Sequence, residues 1–522
     1  MRTTVLALLT FLAYGTAETL QPKKAGLSMT LPIKKRIGRS LRGGINKRKT
    51  FAIGLGDNAD VQYSVDMSLG GVDVPILLDT GSSDLWAIST DCTKTSCGQI
   101  SGLPLIKSSA FKPAGIHFKI PYGDSSEPAF AAGAIVSGPV SLGGAQLDNQ
   151  YIGAVNDTNV LIDGLTGVFG IGFHSNSDIA LSLLVDTNAT ETTLTDTLNA
   201  EVATKGPFLS RLITNGQLHQ PMFTMTLQRD SVQVGGNIGQ ITIGKLPDGV
   251  TNDSLTWVPV RLYSEEQGGL PPPSNSNESY PLFWEVPIDD VIVNGQTLPQ
   301  PTLNASVGYT ALIDSGISTL RGPQNTVQAL YSALSTDTAS FNSTQGPKID
   351  CTKAVALTYV IGGKQFPVDP RDFIGTQDIA DCRIVSVSPR DPPRPGSLLS
   401  WVLGDPFMKS NLVAFYFGNI THPSVDPPRI GFLSTVPSDA AASYSSAIGS
   451  AQKTGGIIFA TETPPSGTFA AAATNSVGVG QAPSPSGSSS GPAGSTGSKS
   501  SASKFEFPSL LFTLVVYVIF SL

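Results

Sequence analysis

Charge is scarce in this 522-residue chain: 14% of its residues are Asp, Glu, Lys or Arg, and they sum to a formal −7. An acidic balance offers no basic patch for nucleic acid, so no nucleic-acid partner is expected. Histidine is scarcer still. His117, His174, His219 and His422 stand apart in sequence, and each reads as a surface or packing residue rather than a ligand. Cysteine occurs four times and never with zinc-ligand spacing. Neither a metal nor an organic cofactor is expected. Long helical heptads are missing, whereas Gly (54) and Pro (38) are abundant. What remains is the composition of a β-rich extracellular body with flexible tails, long enough for two domains with separate cores.

The first 17 residues read as a signal peptide. Arg2 supplies the charge, Val5 to Tyr14 the short apolar stretch, and Gly15-Thr16-Ala17 the small residues for cleavage. Seven Asn-x-Ser/Thr sequons follow, at Asn156, Asn188, Asn252, Asn277, Asn304, Asn342 and Asn419. In a chain entering the secretory route, that number points to a glycosylated surface. The same oxidising compartment lets the cysteines pair; three connectivities are open, of which Cys92–Cys97 and Cys351–Cys382 are the local choices. Residues 18–48 carry nine Lys/Arg against Glu18 and end in the dibasic Lys47-Arg48, so they read as a propeptide. Without residues 1–48 and those after Gly494, 21 basic and 38 acidic side chains remain, a formal −17 beside a +8 propeptide. Opposite charges of that size attract at neutral pH and loosen as carboxylates protonate.

Residues 50–436 show an all-β pattern. Short apolar runs recur at Val72–Leu78, Gln240–Ile243, Trp284–Val293, Ala311–Ile313, Leu398–Leu403 and Val413–Phe417, punctuated by Gly, Pro, Asn and Asp. One helix is expected over Thr326–Leu334, and loop-rich insertions over 174–220 and 263–280. Residues 437–494, dominated by Ser, Gly, Ala, Thr and Pro, read as an unfolded, O-glycosylated linker. Its Gly487-Ser-Ser-Ser-Gly491 matches the serine-hydrolase pattern G-x-S-x-G by chance, since no strand-to-helix turn surrounds it. Phe507 to Leu522 is apolar but short for a membrane span. With small residues around Gly494-Ser495-Thr496 or Gly497-Ser498 and a polar spacer before it, it reads as a GPI-attachment signal, for which Gly494 is the first of two candidate attachment sites.

The chemistry is carried by two similar segments. Ile76-Leu-Leu-Asp79-Thr80-Gly81-Ser82-Ser83-Asp84-Leu85-Trp86 delivers one Asp from an apolar strand into a Gly turn flanked by hydroxyls, and Ala311-Leu-Ile-Asp314-Ser315-Gly316-Ile317-Ser318-Thr319 repeats the arrangement 235 residues later. A lone D-[ST]-G is a common strand-end turn; two copies form an internal repeat and suggest two lobes that each give one carboxylate. Hydrolysis of a peptide bond needs an activated water and a protonated leaving amine. One ionised carboxylate can take a proton from water while a protonated neighbour polarises the carbonyl. Two carboxyls held close share a proton over an acid pH window and titrate as a pair.

On these residues the chain resembles the pepsin-like (family A1) aspartic endopeptidases, over nearly all of 55–436. The resemblance implies a bilobal all-β fold, two β-barrel-like lobes with the cleft between them, at 49–255 and 256–436. Several landmarks recur in order. Cys92 and Cys97 resemble the small disulfide loop after the first Asp, and Cys351 and Cys382 the disulfide of the second lobe. Ile120-Pro-Tyr122-Gly123-Asp124-Ser125 resembles the flap, which implies that Tyr122 closes over substrate with Trp86 bonded to its hydroxyl. Thr166-Gly-Val-Phe-Gly170-Ile-Gly-Phe and Trp401-Val-Leu-Gly404-Asp405-Pro-Phe resemble the segments behind the two aspartates, and Phe283-Trp284-Glu285 the strand opening the second lobe. The resemblance further implies Asp79 and Asp314 as catalytic residues, with Thr80, Gly81, Ser82, Trp86, Tyr122, Gly123, Asp124, Ser315 and Gly316 as substrate-binding and support. It implies protein or peptide substrates, inhibition by the chain's own propeptide, and no cofactor. The organisation as a whole is similar to fungal GPI-anchored members of yapsin and aspergillopepsin-like type: a monomer held at the outer face of the membrane or in the cell wall.

Three departures matter. Ile317 stands where the family often has Thr or Ser that donates to the second Asp, which implies a less acidic working range. Ser125 replaces a usual flap Gly. Asp124 resembles fungal members that accept Lys before the scissile bond, while the Cys92–Cys97 loop lacks the acidic insertion of basic-specific relatives, so mixed specificity with an apolar preference is expected. The rival reading, a non-catalytic pepsin-fold protein binding peptides or glycans at the cell wall, would be favoured by loss of an Asp or the flap Tyr; neither is lost.

Overall fold

The structure, a computed structural model, describes residues 28–32, 34–35 and 62–454, the last range without 94, 98–99, 101, 123–128, 161, 163, 185–192, 228–238, 302, 304–307, 336–345, 377–381 and 391–398. The expected signal peptide, Lys47-Arg48, Gly123, Asp124, Ser125, Asn188, Asn304, Asn342, residues 455–494 and the expected GPI signal with Gly494 lie outside the described residues.

The fold is all-β and bilobal, with the runs read from sequence forming most of its strands. In the first half an eight-stranded sheet has the order 34–35, 63–69, 72–79, 167–170, 85–88, 145–158, 129–142, 112–122. Val72–Asp79 sits inside it, antiparallel to Tyr63–Leu69 and parallel to Gly167–Gly170, and its last six residues are all buried. A strand with both faces covered has no reason to alternate, which accounts for the unbroken Ile76-Leu77-Leu78 run. The second half repeats the device. Thr310–Ile313 pairs in parallel with Trp401–Leu403 within a five-stranded sheet, and a four-stranded sheet packs nearby in sequence at 290–297 and 357–368.

A six-stranded sheet joins the halves, in the order 29–32, 239–243, 222–227, 411–416, 429–434, 256–259. Its inner face carries an aromatic cluster: Phe223 stacks on Phe415 with centroids 4.6 Å apart, and Trp284 meets Phe417 at 4.8 Å. Its first strand, Met29–Pro32, belongs to the basic segment 18–48, with Met29 opposite Ile243; Lys34–Lys35 then pairs with Tyr63 and Ser64. This part of the basic segment is a sheet edge, not a free tail.

Seven α-helices are described: α1 Asp178–Ser182, α2 Leu194–Lys205, α3 Phe208–Thr214, α4 Gln324–Leu334, α5 Pro370–Phe373, α6 Asp405–Ser410 and α7 Ala440–Thr454. α4 extends the expected 326–334 helix by two residues. Two expectations are corrected. Residues 174–220 are not loop-rich: they contain α1, α2 and α3, because Leu198 and Val202, four apart on α2, bury one face. Nor is all of 437–494 an unfolded linker. Tyr444, Ile448 and Ala451 share one face of α7 and are all buried in the main core, beside α5. Three apolar contacts suffice where a finished surface already waits for them.

Cys92 is bonded to Cys97 and Cys351 to Cys382. Of the described sequons, Asn156, Asn252 and Asn277 are exposed; Asn419 is half-buried and caps its own turn, its Oδ1 accepting from Thr421 N at 3.2 Å and His422 N at 3.0 Å.

Candidate active site

Both aspartates end or directly follow a central strand, and the turns after them lock together across the lobes. Thr80 Oγ1 donates to Ile313 O at 2.7 Å and accepts from Ser315 N at 2.9 Å. Reciprocally, Ser315 Oγ donates to Leu78 O at 2.9 Å and accepts from Thr80 N at 3.1 Å. Four buried hydrogen bonds thus tie two segments 235 residues apart, each hydroxyl serving as donor and acceptor at once.

The lock presses each turn against the opposite carboxyl. A Cβ at Gly81 would lie 2.5 Å from Asp314 Oδ2, and one at Gly316 would lie 2.5 Å from Asp79 Oδ1. Only glycine permits this approach. Asp79 and Asp314 are each 2% exposed, so the pair is largely withdrawn from bulk water. Within each turn the backbone repeats: Gly81 N donates to Asp79 Oδ1 at 2.8 Å, and Gly316 N to Asp314 Oδ1 at 2.8 Å.

The symmetry breaks one residue later. Ser82 Oγ donates to Asp79 Oδ2. Ile317, its counterpart, has no hydroxyl and is buried among Leu312, Leu399 and Val402, with Phe283 against them. Burial, and then the neighbouring Asp79 charge, push the Asp314 carboxyl well above the usual carboxylate range. The arrangement therefore favours an ionised Asp79, held by Ser82 and Gly81, facing a protonated Asp314. One carboxyl can accept a proton from a water while the other donates.

Tyr122 ends the strand Lys112–Tyr122 and is buried, its OH accepting from Trp86 Nε1 at 2.6 Å, as expected of the pair. Burial and the Asp79 charge hold its phenol well above the ordinary value, so it stays neutral. Gly167–Gly170 backs the first turn: Ile171 N donates to Asp79 O and Gly172 N to Ser82 O, both at 2.8 Å. Asp314 N donates to Leu403 O at 3.1 Å in the second lobe. Trp401 is core, fully buried. Among the described residues no cluster of three His, Cys, Asp or Glu could hold a metal ion.

Two features escaped the sequence. Asp84 is buried and holds the start of α1, accepting from Ser177 Oγ at 2.5 Å and Asp178 N at 2.8 Å. His174, read as packing, is buried in a hydrogen-bond chain joining the two halves. Their partners lie about 25 to 95 residues away, beyond any local spacing signal.

The eukaryotic aspartyl protease family profile matches residues 62–422, a span holding both turns, the Tyr122–Trp86 pair and both disulfides. The chain belongs to this family. It is a hydrolase of the aspartic endopeptidase type. Among curated proteins it is similar to cathepsin E-B of Xenopus laevis, 25% identical over 388 residues that cover 72% of this chain and 80% of that one. It is also similar to major aspartyl peptidase 1 of Cryptococcus neoformans, 24% identical over 413 residues covering 75% and 72%, and to mouse (Mus musculus) gastricsin, 25% identical over 365 residues covering 69% and 79%.

Proposed function

We propose that this aspartic protease cuts peptide bonds at acid pH by sharing one proton between Asp79 and Asp314. The observation that carries the reading is the reciprocal Thr80–Ser315 lock, which sets two buried carboxyls face to face. A substrate lying extended between the lobes, under the Tyr122 flap, presents its carbonyl to the pair. Ionised Asp79 takes a proton from water as the water attacks. Protonated Asp314 gives its proton to the carbonyl oxygen, and the pair returns a proton to the leaving amine. The preference is for apolar side chains, and Asp124 extends it to Lys.

The same reading places the enzyme in the secretory pathway. Residues 1–17 direct entry, residues 18–48 inhibit until removed after Lys47-Arg48, and sequon glycans cover the body. A GPI anchor near Gly494 holds the enzyme, a monomer, at the outer membrane face or cell wall, as in fungal yapsin-type proteases.

The test is cleavage of an unstructured protein across pH 3 to 7 by wild type, Asp79→Asn and Asp314→Asn. Each substitution is expected to lower kcat at least about a hundredfold. Activity surviving either change would refute the shared-proton mechanism, and a folded, processed wild type without activity would favour the peptide- or glycan-binding reading.

A further inference from the structure

The lobes also meet away from the Thr80–Ser315 lock and the six-stranded sheet. Residues 174–184 and 193–205 of the first half pack on residues 270–281 of the second, through Ala180, Leu184, Leu198, Leu270 and Tyr280. Polar contacts run alongside: Thr195 Oγ1 donates to Pro271 O at 2.5 Å, Asp196 Oδ2 accepts from Ser274 N at 3.0 Å, and Ser175 Oγ donates to Pro281 O. The junction adjoins the segment that backs Asp79. His174 is three residues beyond Ile171, whose N–H holds Asp79 O and whose carbonyl accepts from Trp284 Nε1 at 3.1 Å.

His174 is central to it. The ring is 1% exposed and stands edge-on to Tyr280, with centroids 6.3 Å apart. The hydrogen-bond chain fixes its tautomer. Tyr280 OH donates to Thr421 O at 3.1 Å, so it accepts from Asn199 Nδ2 at 2.8 Å. Asn199 must then turn Oδ1 to His174 Nε2, 3.0 Å away, and Nε2 carries the proton. Nδ1 is buried with no hydrogen-bond partner. A second proton on the ring would have to sit there, unsolvated and without an acceptor.

We propose that His174 is a positioning residue of the lobe junction: its uncharged ring locks the Asn199–Tyr280 bridge, and its protonation releases the junction beside the dyad. The charged form finds little help nearby. Tyr280 faces the ring but is neutral in acid. Asp84 and Asp178, at the start of α1, both have raised pKa values, and Asp84, pushed up to about 7, is uncharged in acid. Asp196 on α2 and Glu278 on the facing loop act on Tyr280; Glu278 is itself engaged by Ser424 N at 3.0 Å. His422 adjoins Thr421 on the far side of the chain of hydrogen bonds. Burial accordingly lowers the His174 pKa from 6.5 to about 4, against the opposing effect of Asn199. The unfolded chain takes up the proton first as pH falls. The junction's contribution is complete above 6.5, declines below it, and is lost as pH falls through 4.

The proposal rests on the protease reading only for its consequence, an acid limit to activity, so the test avoids turnover. In the full-length Asp314→Asn protein, which does not digest itself, the His174 ring signal (identified by its absence in His174→Phe) is titrated by NMR. Hydrogen-exchange protection of 194–205 and 270–281, corrected for intrinsic rates, is followed from pH 5.5 to 3.5. We expect titration near 4 and a loss of protection of about tenfold, absent in His174→Phe. Asn199→Asp, which supplies a carboxylate to the imidazolium, should move the titration upward, and it decides the matter if His174→Phe fails to fold. Titration near 6.5, protection that does not change with pH in the Asp314→Asn protein, or the same loss in His174→Phe would overturn the proposal.

Discussion

The two aspartates differ by a single hydroxyl. Ser82 donates to Asp79, and Ile317 gives nothing to Asp314. Ile317→Thr should restore a donor to the ionised form and lower the pair's pKa. A hydrogen bond to a charged group is worth ~1.5 kcal/mol, or about one pH unit. The alkaline limb of kcat/KM, on which Asp314 loses its proton, should therefore move downward by about one unit, and an unmoved limb would show that the hydroxyl does not reach Asp314. Asp84, five residues after Asp79, makes the opposite demand on pH. Burial raises its carboxyl from 3.8 to about 7. The folded chain keeps a proton that the unfolded chain has lost, so the stabilisation is complete below 3.8 and disappears as pH rises through 7. The thermal midpoint of wild type should fall between pH 5 and 8, and that of Asp84→Asn should fall less; parallel curves would exclude Asp84 as the cause.

At the scale of elements, legibility followed the reach of the contacts. The strands carrying Asp79 and Asp314 announce themselves as unbroken apolar runs because they are buried on both faces, whereas the Trp86–Tyr122 pair is legible only through the family resemblance. α4 shows helical spacing. α2 and α7 do not stand out: polar and small residues separate the few apolar ones in α2, Ala and Ser dominate α7, and the surfaces they bury against come from distant segments. α7 in particular lies in a stretch whose composition signals disorder, yet Ile448 is fully buried. Ending the chain after 436 rather than 454 should cost ~2 kcal/mol from lost apolar burial and lower the thermal midpoint by about 5 °C. Equal midpoints would mean that α7 contributes nothing. Tyr444 sharpens the test. Its hydroxyl is buried without a hydrogen-bond partner, and burial holds the phenol well above its usual pKa. Tyr444→Phe removes an unsatisfied group and should stabilise by ~1 kcal/mol; a loss of stability would reveal a partner for the hydroxyl.

Across the whole molecule, charge is divided between segments. The basic stretch 18–48 carries +8 and the rest, without residues 1–17 and those after Gly494, carries −17. Two kinds of attachment hold the stretch to the body, and they respond differently to pH. The strand Met29–Pro32 contributes backbone hydrogen bonds to Gln240–Ile243, which do not titrate. The excess Lys and Arg contribute attraction to carboxylates, which fades as those carboxylates protonate. A free peptide spanning 18–48 should therefore bind the processed body more weakly at pH 4 than at pH 7, by about tenfold or more at low salt. Raising the salt should shrink that difference, because it screens the charges and leaves the strand pairing intact. Salt-sensitive binding at pH 7 that becomes salt-insensitive at pH 4 would identify the strand as the residual anchor. Equal affinity at the two pH values would mean that backbone pairing alone holds the segment, and that acid by itself does not release it.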